Sequence, residues 1–182
     1  MRLFFSLPLP AEVKQRLRPA LDAAIEASGG GVGFTRLDQL HFTLAFLGEQ
    51  PGEEQALAAG ESLREVASFE LALCGAGAFP SAGRPRVLWI GVTTGGAELV
   101  AAAERLRGAL EQRRFKLEER KFHPHLTLGR VRPQGEKGAR RALATIPPGE
   151  LARWTAREAC LMQSVLGKGG ATHTVLRAFP FR

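Results

Sequence analysis

The feature of this sequence that most restricts its fold is a short pattern, histidine followed two positions later by threonine, that occurs twice. The first copy is "HFTLAFLG" at 41–48 and the second is "HLTLGR" at 125–130. A single histidine in an apolar strand is usually a structural residue whose ring is hydrogen-bonded. Two copies in one chain of 182 residues indicate instead a repeated structural unit.

One offset of 84 positions relates the two copies and also superposes the elements predicted around them. Three further pairs of segments correspond in this way: strands 2–8 and 86–92, helices 13–30 and 97–114, and strands 70–77 and 154–161. Each half therefore has the order strand, helix, strand, helix, strand. Because such units are too long for a solenoid, we predict one bilobal α/β (α+β) domain over 1–182. Its pseudo-repeats are 1–80 and 85–182, with the break between the lobes near 81–85.

Local patterns make three further predictions about the elements. Pro19 lies inside the first helical pattern and is expected to kink or divide that helix. Residues 154–166 are predicted to form one continuous strand. The glycine runs at 29–33 and 167–170 match no nucleotide-binding fingerprint and are predicted to be loops.

Composition restricts the class of protein. The formal charge of +7 favours an anionic partner such as RNA or phosphate, although an arginine-rich composition also arises from a GC-rich genome. Cys74 and Cys160 lie in apolar segments and are predicted to be buried thiols in a reducing compartment. No apolar run approaches the roughly 18 residues of a membrane span. We therefore expect a cytoplasmic protein that does not enter a membrane.

The strand period assigns each side chain of the repeated pattern to a face. Residues i and i+2 of a strand point to the same side, so His41 and Thr43 share one face while Phe42 lies on the other. His125 and Thr127 share a face in the same way. The apolar residues then face the core, and the polar pairs are free to line a cleft between the two lobes.

Two imidazoles and two hydroxyl groups around one point suit a particular chemistry. One histidine can take a proton while the other gives one, and the ordinary histidine pKa near 6.5 suits both roles. Threonine hydroxyls can donate hydrogen bonds to an anion held between the rings. A phosphodiester that undergoes in-line displacement fits this symmetry, and the reaction needs no metal or cofactor.

The paired motifs "HFTLAFLG" and "FHPHLTLGR" resemble those of the two-histidine phosphoesterase superfamily, and within it the RNA 2',3'-cyclic phosphodiesterases, also called 2'-5' RNA ligases. The resemblance extends to "RLFFSLPLP", "GAFPSAGRPRVLWIGV" and "LMQSVLGKGGATHTVLRAFPF". It implies a bilobal fold in which two antiparallel-type sheets flank a central cleft with helices outside. It also implies metal-independent hydrolysis of RNA 2',3'-cyclic phosphate ends to 2'-phosphomonoesters, with 2'-5' ligation as a possible side activity.

The resemblance assigns roles to five residues. His41 and His125 correspond to the acid–base pair, and Thr43 and Thr127 to the residues that hold the phosphate. Arg130 follows the second motif, where it either contacts a phosphate or acts only through its charge. Our working hypothesis is that His41 protonates the leaving 3'-oxygen and that His125 activates water. The expected partner is an RNA or nucleotide with a 2',3'-cyclic phosphate end, bound by a monomer.

Some residues and activities keep alternative interpretations. His173 stands where members of this family often have tyrosine, and it is interpreted as an ordinary strand residue, as Trp89 and Trp154 are interpreted as core residues. His123 of "HPH" is a candidate metal ligand but is expected to flank the site or make a structural contact. The alternative functions are a non-catalytic RNA- or phosphate-binding module, and the same chemistry on another cyclic phosphate or a 2'-5' oligonucleotide.

Overall fold

The structure is a computed structural model that describes residues 1–168 and 170–182. The strands of this part of the chain are β1 Arg2–Pro8, β2 Val32–Phe34, β3 His41–Glu49, β4 Phe69–Pro80, β5 Pro85–Thr94, β6 Leu126–Val131, β7 Glu150–Ala156, β8 Glu158–Gly167 and β9 Gly170–Pro180. Its α-helices are α1 Ala11–Ser28, α2 Glu54–Gly60, α3 Gly96–Gln112 and α4 Glu136–Thr145, and 3-10 turns span Leu37–Gln39 and Glu61–Glu65. Gly169, part of the predicted loop at 167–170, lies outside the described residues.

Two antiparallel sheets organise the fold, as predicted. One has four strands in the order β3-β1-β8-β9, and the other has five in the order β2-β6-β5-β4-β7. Three successive strands of each order correspond: β3, β1 and β8 match β6, β5 and β4. The sheets therefore repeat one arrangement, which is what the common offset of 84 positions in the sequence reflects.

The sequence halves do not coincide with the sheets, because β2 and β4 of the first half lie in the five-stranded sheet, and β8 and β9 of the second half lie in the four-stranded one. β4 pairs with β5 of the second half, and β8 pairs with β1 of the first. Residues 81–84, expected near the break between the lobes, form the turn of the β4–β5 hairpin, in which Pro80 faces Pro85. We propose that 1–182 acts as one bilobal domain, since each sheet takes strands from both halves.

The first helix differs from its prediction. α1 is continuous through Pro19, and the expected division of this helix is wrong. Its buried positions follow one face of the helix: Val13, Leu17, Leu21, Ala24 and Ser28. Pro19 lies on the exposed side, where the carbonyl that loses its hydrogen bond can be hydrated. The helix ends at Gly29, whose φ of 54° is readily adopted by glycine.

Residues 154–166 also differ from their prediction, because they belong to two strands. Arg157 separates β7 from β8, and its carbonyl accepts a hydrogen bond from the Phe181 N–H at 2.8 Å. The chain passes from one sheet to the other at this point. Cys160 is buried, which raises the pKa of its thiol to about 11, whereas Cys74 is only half-buried. In the described part of the chain, no helix has the length and apolar character required to cross a membrane.

Candidate active site

The two repeated motifs lie on the strands through which the sheets meet. β3 and β6 form the main contact between the two sheets. His41 is the first residue of β3, and His125 immediately precedes β6. Both motifs therefore start at the N-terminal end of their strands, and the fold brings these strands together at the junction of the sheets.

The burial of the two strands follows the predicted alternation of faces. Phe42 and Leu44 are 0% and 6% exposed, and Leu126 and Leu128 are 0% and 2% exposed. The polar residues between them are half-buried. The apolar side chains therefore supply the burial that holds each strand in place, and this leaves the polar face directed away from the core.

The rings of His41 and His125, the two candidate catalytic residues, are oriented by equivalent hydrogen bonds. Nδ1 of His41 lies 2.7 Å from the carbonyl oxygen of Gln39, and Nδ1 of His125 lies 2.6 Å from that of His123. A carbonyl oxygen can only accept, so each Nδ1 carries a proton and donates it. In both neutral rings the free electron pair is then on Nε2, which is the nitrogen available to exchange protons with a substrate.

His123 contributes to the site through its main chain. Its side chain is exposed, and its carbonyl holds the ring of His125. The expectation of a structural contact is therefore confirmed for its backbone. Among the described residues, no group of three His, Cys, Asp or Glu side chains is arranged to hold a metal ion.

Thr43 lies beside the reactive nitrogen of His41. Its Oγ1 is 3.2 Å from His41 Nε2. The hydroxyl hydrogen can rotate, so this oxygen can donate to Nε2 when the ring is neutral or turn to donate to an anion. The spacing of two residues along the strand therefore places a group that can transfer a proton beside a hydroxyl that can donate a hydrogen bond to an anion.

Burial favours the neutral form of His41. Loss of hydration lowers its pKa below the ordinary histidine value, and the positive charges of His173 and Lys14 lower the pKa further. The hydrogen bond to the carbonyl of Gln39 acts in the opposite direction and raises the pKa. Burial is the largest of these influences. An anion placed beside the ring would act in the opposite direction and raise its pKa.

A register shift in the pairing of β5 with β6 determines the face of the sheet on which Arg130 lies. Thr127 lies opposite Trp89 and Arg130 lies opposite Val87, with a register shift between these two pairs. Val87 and Trp89 are two residues apart on β5 and share a face, so their partners share it too. The exposed Arg130 therefore lies on the same face as Thr127, although a regular strand would place a residue three positions on at the opposite face.

An equivalent register shift occurs in the pairing of β1 with β3, but there the residue that it turns to the polar face is a phenylalanine. Thr43 lies opposite Ser6 and Phe46 lies opposite Phe4, again with a register shift between the pairs. Phe46 is thus turned to the face of Thr43, and it is 54% exposed. The two halves of the site are consequently equivalent in backbone but not in chemistry, since Phe46 occupies the position that matches Arg130.

Sequence reasoning missed the aromatic contacts of the two histidines. His173 meets the ring of His41 with centroids 5.5 Å apart, and Phe79 meets that of His125 at 5.0 Å. Trp89 packs on Phe79 at 5.4 Å and is only partly buried, whereas Trp154, 7% exposed, is a core residue as expected. These contacts join distant strands. The only sequence signal was the presence of histidine at 173.

Comparison with known proteins identifies the family. The model of the 2'-5' RNA ligase superfamily matches residues 8–168. This protein belongs to the 2'-5' RNA ligase superfamily. The resemblance inferred from the two motifs is confirmed.

Members of the 2'-5' RNA ligase superfamily are similar over nearly the whole chain. The RNA 2',3'-cyclic phosphodiesterase of Archaeoglobus fulgidus is 36% identical, covering 98% of this chain and 99% of the relative. The Escherichia coli protein of the same name is 32% identical, covering 97% and 94%. Among solved structures, a Thermus thermophilus protein superposes with a TM-score of 0.80 at 32% identity, covering 99% and 97%. Escherichia coli LigT complexed with 3'-AMP superposes with a TM-score of 0.79 at 30% identity, covering 99% of this chain and 97% of LigT.

Proposed function

We propose that this protein hydrolyses the 2',3'-cyclic phosphate at an RNA end to a 2'-phosphomonoester, with His41 and His125 as the acid–base pair. The observation that carries the proposal is the matching pair of Nδ1–H···O=C hydrogen bonds, which leaves Nε2 of both rings for proton transfer. Full-length relatives named RNA 2',3'-cyclic phosphodiesterase support the substrate class. Because the two imidazoles supply both proton transfers, the reaction needs no metal or cofactor.

The proposed chemical step uses each imidazole once. Neutral His125 takes a proton from water at Nε2 while the water oxygen forms a bond to phosphorus. The bond between phosphorus and the 3'-oxygen breaks, and Nε2–H of His41 gives its proton to that oxygen. The products are a 2'-phosphomonoester and a free 3'-hydroxyl group. Each such proton transfer typically contributes roughly 10²- to 10⁴-fold in rate.

The substrate itself helps to charge the general acid. His41 favours its neutral form in the free protein because burial lowers its pKa. An anionic phosphate next to Nε2 favours the protonated ring and therefore raises the pKa when substrate binds. The proton needed by the leaving oxygen is thus acquired together with the substrate.

The remaining polar residues are proposed to hold the phosphate. The hydroxyl groups of Thr43 and Thr127 donate to the two oxygens that take no part in bond exchange, where negative charge accumulates. Arg130, on the same face as Thr127, supplies a positive charge to this phosphate or to the next one along the RNA.

The expected partner is an RNA or nucleotide that ends in a 2',3'-cyclic phosphate. If an RNA 5'-hydroxyl replaces water as the nucleophile, the same chemistry forms a 2'-5' linkage, which we expect as a side activity. We expect the protein to act in the cytoplasm as a monomer.

Turnover in the presence of EDTA tests the proposed function. Adenosine 2',3'-cyclic monophosphate is incubated with the protein, and chromatography separates the 2'- from the 3'-monophosphate. We expect the 2'-product, and a panel of cyclic phosphates and 2'-5' oligonucleotides then defines the substrate class. No product above that of the His41→Ala/His125→Ala double variant would refute hydrolysis of this substrate. Binding of the cyclic-ended RNA without turnover would favour a non-catalytic binding module.

A further inference from the structure

A third imidazole lies against one of the two catalytic candidates. The ring of His173, on β9, meets that of His41 edge to face, with planes at 87° and centroids 5.5 Å apart. Phe4 contacts both rings, at 5.1 Å from His41 and 4.9 Å from His173. The three rings form a closed aromatic cluster, in which a shift of His173 would release one side of the His41 ring.

Gln39 connects β9 with His41. Its carbonyl accepts the Nδ1–H of His41 at 2.7 Å, and its side-chain amide donates to the carbonyl of Ala171 at 3.0 Å. Ala171 is two residues before His173 on β9. One residue therefore fixes the orientation of the His41 ring and holds the strand that brings His173 to it.

The hydrogen bonding of His173 does not account for its presence. Nδ1 of His173 is buried and has no hydrogen-bond partner among the described residues. A buried polar atom without a partner lowers the stability of the folded state. A phenylalanine would fill a similar volume without that cost. Stability alone therefore does not explain an imidazole at this position.

The surroundings of His125 show what an edge-to-face contact with a histidine requires. There, Phe79 meets His125 edge to face, with planes at 87° and centroids 5.0 Å apart. An apolar ring thus makes the same kind of contact with the second histidine. The contact needs only an aromatic ring, and the half that contains His41 adds to it a group that can carry a charge.

We propose that His173 is a positioning residue for His41, which holds its imidazole in the reactive orientation by the edge-to-face contact and places a second ionisable ring against it. This inference rests on the proposed function of His41 as a proton-transfer group. Together with the hydrogen bond to Gln39, the contact restricts where Nε2 of His41 lies, and a positive charge on His173 adds to burial in disfavouring a proton on that nitrogen.

The charged groups around His41 are consistent with this effect. His173 on β9 and Lys14 on α1 both disfavour a positive charge on His41, and burial is a larger influence still. Asp38, in the preceding turn, is paired with Arg36, and its carbonyl accepts a hydrogen bond from Lys14. β1 contributes the apolar Phe4. Burial also lowers the pKa of His173, so its ring becomes charged only as the solution becomes acidic.

Steady-state kinetics of three variants test the proposal, with adenosine 2',3'-cyclic monophosphate as substrate across a range of pH. We expect His173→Ala to lower kcat at least about tenfold with little change in KM, because the orientation of His41 is lost. His173→Phe retains the ring contact, so its kcat should stay within about threefold of wild type. Val175→Ala, at an exposed position of the same strand, serves as the matched control and should behave as wild type.

The pH profile separates positioning from a purely structural role. In His173→Phe, the limb of the kcat–pH profile that reports protonation of His41 should move to higher pH, because the positive charge of His173 has been removed. A wild-type kcat in His173→Ala overturns the proposal, and so does an unshifted profile in His173→Phe. NMR titration of the His41 ring in the same variants tests the contact without turnover. A wild-type protein that lacks turnover would refute the proposed function, while this titration would still test His173.

Discussion

Arg130 lies opposite Val87 in the β5–β6 ladder, and this pairing turns its side chain to the face that carries Thr127. The register shift between the two pairs is what makes residues three apart share a face. Thr127 and Arg130 therefore share one face of β6, as His41 and Thr43 share one face of β3.

Arg130→Gln should weaken substrate binding. A hydrogen bond from a guanidinium to a phosphate is stronger than a neutral one, so we expect KM to rise about tenfold with a smaller change in kcat. The rise should diminish at high salt, where the charge is screened. Arg105→Gln, at an exposed position of α3, is the matched control. Equal kinetics in the two variants would place Arg130 outside the phosphate site.

The assignment of acid and base can be tested with an activated leaving group. If His41 protonates the leaving oxygen, a substrate whose leaving group needs no proton should restore much of the rate lost in His41→Ala. The same substrate should help His125→Ala far less, because activation of water is still required. Rates of both variants on the activated and the natural ester measure the difference. Stronger rescue of His125→Ala would reverse the assignment.

Thr43→Val should lower kcat about 100-fold, the loss typical of removing one donor to a developing anion. Thr43→Ser keeps the hydroxyl beside His41 Nε2 and should retain most of the activity. Single-turnover rates at saturating substrate are the measurement. Equal losses in the two variants would mean that the methyl group, rather than the hydroxyl, is what the site requires.

The stability of the protein should fall as the solution becomes moderately acidic. Burial lowers the pKa of both His41 and His173 below their ordinary value of 6.5, so the unfolded chain binds more protons than the folded one below that pH. This contribution to stability is complete above about pH 6.5 and is lost progressively as the pH falls further. We expect the Tm to decrease between pH 7.5 and 5.5, and to decrease less in His173→Phe. An equal decrease in both proteins would contradict the prediction.

Gly77→Ala should destabilise the fold, because a Cβ there would overlap with the indole ring of Trp89 on the neighbouring strand. The expected loss is about 1–3 kcal/mol, typical of an overpacked site. Gly108→Ala is the matched control, since a Cβ within α3 at that position meets no atom within 4 Å. That variant should gain up to about 1 kcal/mol from helix propensity. Urea unfolding of both variants provides the comparison.

Local pattern was sufficient to predict which face of each motif is buried. The alternation of His41, Phe42 and Thr43 depends only on the strand period, and the second copy confirmed that the pattern was not accidental. The short strand β2 was not predicted, because its three residues are too few to show a strand period. Arg130 was identified by resemblance, but its face depended on a register shift that no sequence pattern marks.

Pairing between distant segments could not be predicted in the same way. His173 reaches His41 because β9 closes one edge of the four-stranded sheet, and that placement depends on which strands pair. The partner of β4 was equally uncertain, since a strand with an apolar face can pair in either sheet. A periodic pattern specifies which face of a strand is buried, but it does not specify the neighbouring strand.

The placement of β4 and β8 has a consequence for any attempt to divide this protein. A chain cut in the turn at 81–84 would yield two fragments, and each would lack strands from the sheet that carries its own histidine. The first fragment would keep the β1–β3 ladder that carries His41 but would lose β8, the other partner of β1. We expect the separated pieces to regain activity only when they recombine, because each sheet is completed by strands from the other fragment.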